Sequence, residues 1–122
     1  MRRILVIDDS SAIRKAIRRI LEPLEYDVVE AEDGAKALEA VHANPDLTAI
    51  LCDIDMPVMD GLTFLEQLRK SGGSAPPPII MCTTHTAFEK IQMAITLGAS
   101  EYIMKPFDAE IITSKLEACG VR

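Results

Sequence analysis

Ala49-Ile50-Leu51-Cys52-Asp53-Ile54-Asp55-Met56-Pro57 carries the strongest fold signal in the chain. Four apolar residues run straight into Asp53, and Pro57 forbids the segment from continuing as a regular element. A continuous apolar run of this length, bounded by breakers, reads as a strand buried on both faces, as in a parallel sheet. Asp53 then stands at the strand's carboxyl end, the edge where open α/β sheets place their ligands. A carboxylate there is either a solvated strand end or a chemical group, and the rest of the chain has to decide between them.

Downstream, Gly61 to Lys70 reads as a helix with Leu62, Leu65 and Leu68 inward. Ser71 to Pro78 reads as an exposed loop, and Ile79 to Thr83 as another strand. A helix follows with Phe88, Ile91 and Ile95 on one side, stopped near Gly98. Glu101 to Met104 is the last strand, ending at Lys105-Pro106, and a helix from about Asp108 carries Ile112 and Leu116. Upstream, Arg3 to Asp8 is a strand ending in the acid pair Asp8-Asp9, with Ser10 or Asp9 placed to cap the next helix. That helix presents Ile13, Ile17, Ile20, Leu21 and Leu24 on one face, while Arg14, Lys15, Arg18 and Arg19 read as its solvated face. Asp27 to Ala31 is a short strand, and Gly34 opens a helix carrying Ala37, Leu38 and Val41. Five strands alternating with five helices make a parallel α/β sheet covered on both faces, with right-handed crossovers.

The 122 residues suit one domain, and a formal charge of −6 argues against a nucleic-acid partner. No apolar run has membrane-spanning or leader length, and Cys52, Cys82 and Cys119 lack metal-ligand spacing. The expectation is a reduced, cytoplasmic chain without a membrane partner.

In such a sheet, Asp8, Asp9, Asp53, Thr83 and Lys105 all fall at carboxyl strand ends and so share one edge. Three converging carboxylates repel one another, and a divalent cation resolves the conflict. Hard oxygen ligands without His or Cys suit Mg²⁺. Lys105 adds a compact positive charge and Thr83 a hydroxyl, which together match phosphoryl transfer onto a carboxylate, giving an aspartyl phosphate.

Asp8-Asp9, Asp53, the Asp55-to-Gly61 run Asp-Met-Pro-Val-Met-Asp-Gly, Thr83, Tyr102 and Lys105-Pro106-Phe107 together resemble a response-regulator receiver domain, with single-domain CheY-like members most alike. The resemblance implies a flavodoxin/CheY-like sheet of order 2-1-3-4-5 and one receiver domain over residues 1–122 without an output domain. It implies that Asp53 accepts a phosphoryl group from a histidine kinase or phosphotransfer protein. Asp9, Asp53 and the Asp55 backbone carbonyl would bind Mg²⁺, with Asp8 acting through water, while Lys105 and Thr83 contact the phosphoryl oxygens. It further implies a cis Lys105–Pro106 bond and a switch in which Thr83 and Tyr102 rearrange the face of helix 4, strand 5 and helix 5. A protein effector, such as a flagellar motor switch or a kinase, would read that face, and the chain would be a monomer or weak dimer. The protein would be a signalling protein that catalyses only its own phosphoryl transfer and autodephosphorylation.

Asp55, Thr84 and His85 vary within or depart from the family pattern and are expected to tune phosphoryl lifetime. Asp53-Ile54-Asp55 also resembles the Asp-x-Asp of haloacid-dehalogenase-type phosphohydrolases, but Pro57 follows Met56 and there is no room for a cap insertion. A flavodoxin would want a hydroxyl- and glycine-rich phosphate loop where Asp8-Asp9-Ser10-Ser11 instead repels phosphate. A receiver-like module without phosphorylation is disfavoured by the intact set of acids, Thr and Lys.

Overall fold

β3 (Ala49–Asp53) is buried at every position, as is β4 (Ile79–Thr83). The description comes from a computed structural model and covers residues 2–70, 77–83 and 88–121. β3 is hydrogen-bonded between β4 and β1 (Arg2–Ile7), all in parallel, so both of its faces must be apolar. β2 (Tyr26–Ala31) and β5 (Glu101–Met104) close the two edges, giving a five-stranded parallel sheet of order β2-β1-β3-β4-β5.

The helices are α1 (Ser11–Leu21), α2 (Gly34–Ala43), α3 (Gly61–Lys70), α4 (Phe88–Thr96) and α5 (Ala109–Ala118). Alternation along the strands divides the core between two layers. Leu5, Ile7, Ile50, Cys52 and Met81 pack with Ala37, Phe64, Leu65, Leu68 and Ala94, contributed by α2, α3 and α4. Ile4, Val6, Leu51, Ile80 and Cys82 pack on the other face with Ile17, Leu21, Ile112 and Leu116, contributed by α1 and α5. Among the described residues no helix is long and apolar enough to cross a membrane.

Side chains at the helix starts satisfy the free backbone N–H groups there. Ser10 accepts from Ile13 N, Asp33 from Lys36 N, and Asp108 from Ile111 N. Gly61 is required where α3 begins against the end of β3. A Cβ on it would lie 2.3 Å from the Asp53 carbonyl oxygen, and its N–H donates to the Ile54 carbonyl at 2.8 Å.

Several local expectations are corrected. β1 runs one residue earlier than Arg3 to Asp8, so Asp8 lies just past the strand, and β2 already begins at Tyr26. Leu24 does not extend the apolar face of α1 and is instead 42% exposed. Pro23 cannot continue the α-helical ladder, and a 3-10 turn over Glu22–Leu24 swings Leu24 outward. On α4, Ile95 is exposed and Ala94 is the buried residue, so the inward line runs from Ile91 to Ala94. The small Ala94 lets the helix approach the sheet. Arg14 and Arg18 are not a freely solvated face, because both pair with Glu30 of β2.

Candidate functional site

The carboxyl edge of the sheet gathers residues far apart in sequence. Asp53 ends β3, and the chain beyond it stays pinned to β4 because the Ile54 N–H donates to the Cys82 carbonyl at 3.2 Å. Asp8 leaves β1 with its N–H bonded to the Ala31 carbonyl at 3.1 Å. Its Oδ1 accepts from the Ser10 N–H at 2.9 Å, a local turn that fixes the carboxylate rotamer. Lys105 follows β5, and its N–H donates to the Thr83 carbonyl at 2.8 Å, tying the two strand ends together. The Lys105–Pro106 peptide is cis.

These backbone positions bring one ammonium against two carboxylates. Lys105 Nζ lies 2.8 Å from Asp8 Oδ2 and 3.4 Å from Asp53 Oδ1. Asp8, Asp9 and Asp53 each offer an oxygen within 4.8 Å of the others, with Asp8 and Asp53 buried and Asp9 exposed. Burial, then the neighbouring Asp8 charge, raises the Asp53 carboxyl to about 6, even though Lys105 pulls the other way. One ammonium therefore does not balance three acids. The donor set is all carboxylate oxygen, and its uncompensated negative charge fits a hard divalent cation. Burial also pushes the Cys82 thiol up to about 12, so it carries no thiolate chemistry.

The other candidates lie around this centre. Thr83 is fully buried at the end of β4. Tyr102 on β5 is 39% exposed, with Lys115 Nζ 5.4 Å from its ring centroid and Lys115 also bonded to Glu101. Asp55 does not belong to the acid cluster. Its side chain is exposed, with Oδ1 3.0 Å from Lys90 Nζ on α4. Thr84, His85 and the side chain of Phe88 lie outside the described residues.

Two contacts of the site were not read from sequence. Lys90 reaches Asp55, and Arg14 Nη1 donates to the Asp8 backbone carbonyl at 2.6 Å. Neither spacing carries a motif, since each pairs a helix residue with a loop placed only by the sheet.

This geometry has known counterparts. Residues 4–117 match the family model described as response regulator receiver domain. Chemotaxis protein CheY1 of Helicobacter pylori is 39% identical over 116 residues, covering 94% of each chain. The chemotaxis protein CheY homolog of Campylobacter jejuni is 36% identical, covering 94% of this chain and 89% of its own. The solved structure of Vibrio cholerae chemotaxis protein CheY4 superposes with a TM-score of 0.88 at 34% identity, covering 96% of this chain and 97% of that one. With an acid pair, a strand-end aspartate and a lysine meeting at the carboxyl edge of a 2-1-3-4-5 sheet, and a family match across nearly the whole chain, this protein belongs to the response-regulator receiver family.

Proposed function

We propose that the chain takes a phosphoryl group onto Asp53 from a phosphohistidine of a kinase or phosphotransfer protein. The observation that carries this assignment is the buried Asp53 carboxylate held 3.4 Å from Lys105 and within 4.8 Å of the Asp8 and Asp9 oxygens. An Asp53 oxygen attacks phosphorus, the P–N bond to imidazole breaks, and the imidazole departs with the electron pair and takes up a proton. Asp9, Asp53 and the Asp55 carbonyl would hold Mg²⁺ directly, with Asp8 acting through water, and the bound ion would supply charge neutralisation for the phosphoryl oxygens. Lys105 offers a point charge to those oxygens, and Thr83 a hydroxyl donor. Water later attacks phosphorus, the P–O bond to Asp53 breaks, and the carboxylate is restored as inorganic phosphate leaves, a step that Asp55, Thr84 and His85 would tune.

The acyl phosphate adds a dianion at the end of β3, and the bistable element it biases is the α4–β5–α5 face. Ile95, Tyr102 and Ile111 are exposed apolar residues of those elements, which supports a protein reader there. The relatives' names support chemotaxis as the setting. In that setting the reader would be a flagellar motor switch or a kinase.

The test is intact mass after acetyl phosphate, with and without Mg²⁺, on wild type and Asp53→Asn. The expected result is one Mg²⁺-dependent adduct, labile to hydroxylamine and absent in the variant. An adduct of equal yield on Asp53→Asn would refute the assignment.

A further inference from the structure

We infer that Arg14 is a positioning residue for the acid pair, clamping the peptide between Asp8 and Asp9 so that both carboxylates aim into the Asp53 site. The inference rests on the reading of that site as a metal centre.

The Asp8 carbonyl is one end of the peptide plane that joins the two acids, and it accepts from Arg14 Nη1 at 2.6 Å. Asp8 itself is held several times over, by Ala31, Ser10 and Lys105. Asp9 is not. It is exposed, and no hydrogen bond or ion pair to a described residue holds its side chain. Among the described residues, only its backbone directs Asp9, and rotation of the Asp8–Asp9 peptide would swing its carboxylate away from Asp53.

Arg14 is suited to the task because its guanidinium is a rigid fork. While Nη1 holds the carbonyl, Nε donates to Glu30 Oε1 at 2.9 Å. Glu30 is fixed in turn by Arg18, whose Nε donates to Oε2 at 2.9 Å. Arg14 is only 15% exposed, so the fork is packed as well as bonded. The end of β1 is thus braced through α1 against β2, on the side of the site opposite Lys105. Arg18 shares Glu30 but bonds the Val28 carbonyl rather than Asp8, which makes it the internal control.

The experiment is calorimetric titration with Mg²⁺ of wild type, Arg14→Met, Arg18→Met and Arg14→Lys, with the melting temperature of each metal-free protein. Outer partners that orient ligands typically matter by about tenfold, so Arg14→Met is expected to raise the Mg²⁺ Kd about tenfold and Arg18→Met by less than about twofold. Both variants untie Glu30, so both lose some thermal stability. Arg14→Lys keeps a donor for a single carbonyl and is expected to fall between wild type and Arg14→Met; it also carries the test if Arg14→Met does not fold. Equal weakening by Arg14→Met and Arg18→Met, or no weakening by either Arg14 variant, would overturn the inference while leaving the metal centre intact. A wild type that binds no Mg²⁺ would remove the metal centre and the inference together.

Discussion

Lys105 Nζ stands 3.4 Å from Asp53 Oδ1, with both side chains almost wholly withdrawn from solvent. Lys105 directly follows β5 and Asp53 ends β3, strands that never touch because β4 lies between them. Only the convergence of strand ends at one edge makes the pair.

Lys105→Met should leave buried carboxylates with no cation among the described side chains of the cluster. Breaking one partner of a buried pair costs about 3–5 kcal/mol, and the slight exposure here suggests about 2–4 kcal/mol in metal-free protein. Mg²⁺ should stabilise the variant more than the wild type, because the ion no longer competes with the ammonium. Urea titrations with and without Mg²⁺ measure both effects; a smaller Mg²⁺ gain in the variant would show that Lys105 does not compete.

Asp53→Asn keeps the side chain's size and removes a charge that burial and Asp8 both disfavour. The metal-free variant should be more stable than wild type by about 1–2 kcal/mol at neutral pH, while losing the ability to accept a phosphoryl group. Denaturant midpoints in chelator decide this, and a destabilised variant would mean that Lys105 already satisfies the site.

Glu30 supplies the pH dependence. Burial raises its carboxyl, but the hydrogen bonds from Arg14 and Arg18 outweigh burial and hold it below the usual 4.5. A carboxyl depressed on folding contributes stability that is complete above the unfolded value and is lost as pH falls through the folded one. Glu30→Gln should therefore cost about 1 kcal/mol at pH 7, the modest value expected of a pair still 26% exposed, and almost nothing once wild type is protonated. Paired melts at pH 7 and at acid pH check the difference; a gap unchanged on acidification would assign the effect to packing.

Val58 has φ 69° and is 84% exposed, and Met59 N donates back across it to the Pro57 carbonyl at 2.7 Å. A β-branched side chain in a left-handed turn stores strain of about 1–3 kcal/mol, while glycine costs some unfolded-state entropy. Val58→Gly should stabilise the protein by about 1 kcal/mol net, a rise in Tm of a few degrees in a thermal melt. A fall in Tm would show that the turn is not strained.

Much of the architecture was legible in the chain itself. The unbroken apolar run before Asp53 specified a strand covered on both faces, because only such a strand tolerates apolar side chains at every position. That placement carried Asp8, Asp53, Thr83 and Lys105 to one edge, since parallel strands point their carboxyl ends the same way.

What sequence periodicity left out was decided where elements meet. Leu24 fits the apolar spacing of α1, yet Pro23 ends the ladder before it and turns it to solvent. Ile95 matches helical spacing from Ile91, but the sheet accepts the smaller Ala94. Arg14 looked like one of four cations on a solvated face, and only the packing of α1 on β2 delivers it to Glu30 and the Asp8 carbonyl. Local pattern determined which elements form and which ends carry chemistry, because those choices follow from chain geometry and burial of a whole face. Which side chain holds which partner was left to tertiary structure, because a hydrogen bond depends on ångström-scale distances between segments that sequence spacing does not encode.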